Sequence, residues 1–178
     1  MPLIIAAVSL SVSVYLLHAQ LASALVTRGD DLAYMGDVGA ARVMYGRALA
    51  FDPGDATAAD RFVFSSILSH RQVELGEGAS VATRFLDRDP SNATVRMDRA
   101  LCYERLHDDW RAIADFRIVG RRTKDGRALT FAALLLARHH DFEGARIALH
   151  DAIRLDPAFR LARTMLLHVK SRSSGQHP

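Results

Sequence analysis

A fixed spacing of small and large apolar residues recurs four times along this chain, and few folds accommodate it. Counted from Ala133, the residues three, twelve, sixteen, nineteen and twenty-four positions on are Leu136, Ala145, Leu149, Ala152 and Pro157. The same ruler laid on Gly29 meets Leu32, Ala41, Tyr45, Ala48 and Pro53. On Ala100 it meets Tyr103, Ala112, Phe116 and Val119, with Lys124 where proline would stand. On Ser66 it meets Ser69, Gly78, Ala82, Phe85 and Pro90, a poorer match. The anchors lie about 34 residues apart, the length of a unit made of two helices and a turn.

Two helices in that length must lie antiparallel and close. Small residues at the crossing let the backbones approach: Gly29 with Ala41 and Ala48, Ala133 with Ala145 and Ala152. Larger apolar residues fill the remaining space at helical period, as Leu32 with Tyr45, Tyr103 with Phe116, and Leu136 with Leu149. An acid follows each of three turns (Asp37, Asp108, Asp141), where it caps the second helix and faces its positive end. The closing proline stops that helix, because it lacks the N–H and clashes with the preceding turn. A single unit leaves its apolar face open, so units must stack.

On these residues the chain resembles the tetratricopeptide repeat family over residues 22–170. The resemblance implies an all-α, right-handed α-solenoid of about four helical hairpins. Residues 22–53, 57–90, 91–124 and 126–157 are the four repeats. Gly76-Glu77-Gly78 interrupts the second, where its second helix should begin. Ala158 to Val169 reads as an amphipathic capping helix over the last repeat's open face, and residues 171–178 as a polar, disordered tail.

Ahead of the repeats, residues 1–27 contain no Asp, Glu, Lys or Arg, and Pro2 to Leu17 is the most apolar part. As a helix this stretch is about 40 Å long at 1.5 Å per residue, enough for a bilayer core. Three readings of residues 1–21 compete. One is an uncleaved single-pass membrane anchor. Another is a cleaved signal peptide with Ala22-Ser23-Ala24 as its site, although it has no basic leader. The third is an extra apolar helix packed on the solenoid or on a partner, suggested by the alternation from Val8 to Val14. Counting Arg28, Arg42 and Arg47 favours a cytoplasmic solenoid. A signal-type N-terminus exports it, and resemblance to bacterial periplasmic assembly factors leans the same way.

Composition excludes little. The net charge of +3 is too small to argue for nucleic acid. Of 23 basic residues only Lys124 and Lys170 are lysine, which reads first as genome composition. Cys102 is the only cysteine and lies among core positions, so it reads as a buried, inert thiol. His107, His139, His140 and His150 have no Cys or carboxylate at a ligand spacing, so no metal is expected. No phosphate loop, H-E-x-x-H or G-x-S-x-G is present, so neither cofactor nor catalysis is expected.

What the resemblance implies about action is a concave groove lined by the first helix of each unit, holding an extended peptide or a partner's helix. The residues placed there are Val63, Ile67 and Arg71 in repeat two, Met97, Leu101 and Arg105 in repeat three, and Leu134 and Arg138 in repeat four. Val26, Asp30 and Ala33 would hold the corresponding places in repeat one. Asp30 would repel a carboxylate, which argues against a clamp for chaperone C-termini. Arg71, Arg105 and Arg138 either form a guanidinium ladder for an acidic segment or are solvated helix ends in an Arg-rich chain. Trp110 reads equally as an interface anchor or as packing between repeats. The function expected is a non-enzymatic, membrane-tethered scaffold, an assembly factor or accessory subunit of a membrane complex; the alternative is a soluble exported binding module.

Overall fold

The turns inside the hairpins set the register of the rest. Gly36, His70, His107 and His140 all have left-handed backbones, with φ of 87°, 57°, 61° and 60°. In three of these turns the same two bonds close the first helix. Gly36, His107 and His140 donate to the carbonyls of Ala33, Glu104 and Ala137; the next residues, Asp37, Asp108 and Asp141, donate to Leu32, Tyr103 and Leu136. That pattern ends a helix with one left-handed residue. The aspartates then cap the second helix, accepting from the N–H groups of Ala40, Arg111 and Gly144, as the sequence leads one to expect. In the second hairpin the cap position holds Arg71, which makes no side-chain cap bond.

A computed structural model describes the backbone of residues 2–173 and the side chains of residues 13–172. Secondary structure among them is entirely helical, in two units, Met1–Pro90 and Ser91–Pro178. Unit 1 holds α1 (Pro2–Tyr34), α2 (Val38–Phe51), α3 (Ala56–Leu68) and α4 (Gln72–Leu86). Unit 2 holds α5 (Ala93–Arg105), α6 (Asp109–Thr123), α7 (Gly126–Arg138), α8 (Phe142–Leu155) and α9 (Arg160–Ser173). Within each unit, helices pack on their neighbours in sequence, and α9 also touches α7. The four expected hairpins and the C-terminal helix are all present.

In unit 1, Ala22, Val26, Ala41, Tyr45, Ala48 and Ala58 form one buried cluster. At the α1–α2 crossing the Tyr45 ring lies against Gly29, where a Cβ would come within 2.8 Å of its Cδ1. In unit 2 a larger core runs through all five helices. It includes Ala112, Phe116, Ala133, Leu136, Ala145, Leu149 and Ala152, all at the repeated spacing, and is closed by Ala162, Leu166 and Val169 of α9.

The second repeat departs from the expected register. The left-handed turn residues make Val63 the equivalent of Ala100 and Ala133, in place of Ser66. Leu75, Ala79 and Ala82, all buried, then correspond to Ala112, Phe116 and Val119. The slip is three residues, close to one helical turn. The extra residues sit between Asp87, which ends α4, and Asn92, which caps α5. Gly76 and Gly78 do not delay α4, which starts at Gln72 and carries both in its interior.

At the N-terminus, α1 runs unbroken from Pro2 into the first repeat, without a boundary at residue 21. Among the described residues no helix is long and apolar enough to cross a membrane. The expected spanning segment falls largely on residues 1–12, outside the described side chains. Of the expected tail, residues 171–173 belong to α9 and residues 174–178 lie outside the described residues.

Candidate partner-binding surface

Leu101 on α5 and Leu134 on α7 occupy the same place relative to their turns, six residues before His107 and His140. On α5 Leu101 is half-buried against the core, and on α7 that place turns outward. Leu134 keeps 42 % of its surface exposed, whereas its neighbours Ala133 and Leu135 keep 0 % and 2 %. Leu101 and Leu134, with Phe116, Phe131 and Leu135, line a cavity of about 220 Å³ in unit 2. Its floor is the stacked pair Phe116–Phe131, with ring centroids 5.4 Å apart. Phe116 is buried and Phe131 is exposed, so the stack carries the core's apolar surface outward.

Glu104 and Arg138 complete the lining. Arg138 Nη2 lies 3.4 Å from Glu104 Oε1, and its Nη1 lies 3.5 Å from Asp109 Oδ1. The buried carboxylate of Asp109 accepts from His139 Nε2 at 2.8 Å. The His139 ring stacks at 4.9 Å on Trp110, which is largely exposed. The result is an apolar slot with a mixed-charge rim and an exposed aromatic pair beyond it, the composition of a protein-docking surface.

Three of the eight residues placed in the groove from sequence, Leu101, Leu134 and Arg138, come together here. Met97 lines a different recess of unit 2, with Asp98, Val119 and Arg127. Arg105 ends α5 half-buried, two residues before His107, as Arg138 stands before His140. Val63 and Ile67 are corrected: they expose 0 % and 4 % and belong to the core of unit 1. The one-turn slip causes this, and the residues equivalent to Leu101 and Arg105 are Phe64 and Leu68, both exposed. Arg71 is likewise off the first helix; it stands at the N-terminal end of α4 without a cap bond and pairs with Glu74 at 2.8 Å. Sequence reasoning missed Phe64, Leu68 and Phe131. Counting back from the turn, instead of forward from the small residues, would have found the first two.

Other polar groups in the two units hold the fold. Asp115 of α6 is buried between Arg96 and Arg99 of α5, and Arg99 grips it through two bonds of 2.7 and 2.8 Å. Burial and the negative field of Asp98 push the Cys102 thiol up to about 12, which fits the inert role expected for it. Among the described residues no group of His, Cys, Asp and Glu could hold a metal ion.

No protein-family model matches the sequence, and no curated protein matches it. Solved structures do. A MamA structure superposes with a TM-score of 0.77 over 88 % of this chain and 84 % of its own, at 15 % identity. A tetratricopeptide repeat protein from Parabacteroides merdae superposes with a TM-score of 0.71 over 88 % of this chain and 63 % of its own, at 19 % identity. The chain has the tetratricopeptide repeat fold. The Cut9–Hcn1 hetero-tetramer of the APC/C also aligns, with a TM-score of 0.63 over 82 % of this chain and 29 % of that one, at 14 % identity. The slot of unit 2 lies on the first-helix side of its hairpins.

Proposed function

We propose that the chain is a non-enzymatic scaffold that holds a partner protein on the first-helix face of unit 2. The observation that carries this is the exposure of Leu134 and Phe131, with Leu101 beside them, over a cavity floored by stacked rings. The occupant is an apolar side chain of a peptide or helix, with the Glu104–Arg138 pair offering both charges at the rim. Since Arg138 already faces two carboxylates, apolar contact supplies most of the affinity.

The scaffold is tethered by α1. Its apolar N-terminal part continues into Val14, Tyr15, Leu16 and Leu17, all exposed. Burying four such side chains in a bilayer or a membrane protein would stabilise the attachment by several kcal/mol, at about 1.5–3 kcal/mol each. This supports an assembly factor or accessory subunit of a membrane complex, on the periplasmic side if α1 acts as an export signal. The alternative is an exported soluble module cut after Ala24.

Capture of partners from gently solubilised membranes tests both parts. The full chain should return intact with stoichiometric subunits, and the Leu101→Asp, Leu134→Asp double variant should return without them. Equal capture by the double variant would remove the slot. A chain shortened near Ala24 in the soluble fraction would replace the tether with the exported module.

A further inference from the structure

Unit 1 carries a second and larger recess, on the side of its second helices. It lies between α2 and α4 above Phe62 of α3, has a volume of about 450 Å³, and is walled by Leu49, Val81 and Phe85. Gly46 of α2 makes room for it: a Cβ there would come within 3.2 Å of Phe62 Cε2. Arg84 and Arg88, one turn apart on and just beyond the last turn of α4, line the same recess. Arg84 donates to Ser80 Oγ at 2.7 Å and Arg88 to the Arg84 carbonyl at 3.0 Å. Neither is in an ion pair among the described residues, although Asp87 and Asp89 are their neighbours in sequence. By contrast Arg42, nearby in the same unit, is paired with Glu77.

A helix dipole favours basic residues in a last turn. It does not require both of their stems to line one apolar recess while their guanidinium groups stay without a carboxylate. We infer that this recess is a second docking site, distinct from the slot of unit 2, for a partner segment that carries an apolar side chain flanked by carboxylates. The apolar side chain enters over Phe62 and Phe85, and the flanking acids meet Arg84 and Arg88. Guanidinium groups hold carboxylates with two parallel bonds, and their stems cover apolar surface at the same time. The site does not depend on the reading of unit 2.

The test uses the full chain and a fluorescein-labelled, capped hexapeptide, Asp-Leu-Phe-Glu-Leu-Glu, beside its Asn/Gln counterpart. Fluorescence anisotropy gives affinity, and the amide resonance of Gly46 reports occupancy of the recess. The acidic peptide should bind, shift Gly46 and weaken as salt rises. The neutral peptide should bind at least tenfold more weakly. Arg84→Gln with Arg88→Gln should lower affinity for the acidic peptide at least tenfold, with an unchanged helical circular dichroism spectrum; Leu134→Asp should leave it unchanged. Equal binding of the two peptides, undiminished binding by the Gln variant, a response confined to unit 2, or no binding would each overturn the inference.

Discussion

The ring of Tyr45 fills the space that a side chain on Gly29 would need, and its hydroxyl donates to Asp30 at 2.8 Å. Asp30 is also paired with Arg61 of α3 at 3.2 Å. One small residue thus lets α1 and α2 close, and one hydroxyl ties that crossing to the next helix. Gly29→Ala should destabilise unit 1 by about 1–3 kcal/mol through overpacking. Alanine's better helix propensity, about 1 kcal/mol, works the other way and is the smaller effect. Urea unfolding followed by circular dichroism checks this, and an unchanged midpoint would mean that α1 and α2 do not cross at residue 29.

Alkaline unfolding should reveal the same contact. Burial, with the Asp30 hydrogen bond and charge, raises Tyr45 from 10.0 to about 12. The folded state therefore keeps a proton that the unfolded chain loses. The stability this contributes is complete below the ordinary tyrosine value and is lost as pH rises through the folded one. Unit 1 should weaken between pH 10.0 and about 12. Tyr45→Phe should flatten that part of the profile, and a tyrosinate absorbance titration should show one late-ionising phenol missing in the variant.

The left-handed histidines are a stability cost that glycine would remove. A non-glycine residue in that conformation costs about 1 kcal/mol or more, and Gly36 shows what the turn accepts. His107→Gly is the cleanest test, since His140 also makes an edge contact with Phe142 at 5.8 Å. The variant should be more stable by about 0.5–1 kcal/mol, read as a rise in the urea midpoint. A fall would show that the imidazole makes an interaction worth more than the backbone strain.

How far the fold was legible follows from these turns. In hairpins one, three and four the small residues and the capping aspartate agree, so spacing alone placed Gly29, Ala100 and Ala133 correctly. In hairpin two Arg71 stands for aspartate, and the additional residues lie in the loop ahead of Asn92. With no cap to anchor the count, Gly78 and Ala82 were legible as crossing residues one turn late. The same slip put Val63 and Ile67 on the surface and hid Phe64 and Leu68. The pairing of Arg138 with Glu104 and Asp109 was illegible for a different reason. It joins residues from three helices, and only their packing brings them together.

Asp115 provides a test of the packing in unit 2. Its carboxylate is 5 % exposed, and Arg96 and Arg99 beside it are 11 % and 16 % exposed. Asp115→Ala would remove the carboxylate that two largely buried guanidinium groups share, at about 3–5 kcal/mol. Unit 2 should lose most of its stability, seen as an early first transition in urea. A variant with Arg96 and Arg99 also changed to Leu and Met should recover much of the loss, because the cost lies in buried charge that has lost its shared carboxylate.

Leu134 and Leu135 are adjacent on α7 and face opposite fates, with 42 % and 2 % of their surfaces exposed. A glutamate at each separates binding from folding. At residue 134 the carboxylate stays in water, so stability should change by no more than about 0.5 kcal/mol, as for most surface substitutions. The slot would still gain a negative charge beside Glu104 and lose its apolar wall, and partner capture should fall sharply. At residue 135 the same group would be buried in the core beside Phe116, and unit 2 should unfold. If both variants folded and bound alike, the residues facing the slot would have to be assigned to the other side of α7.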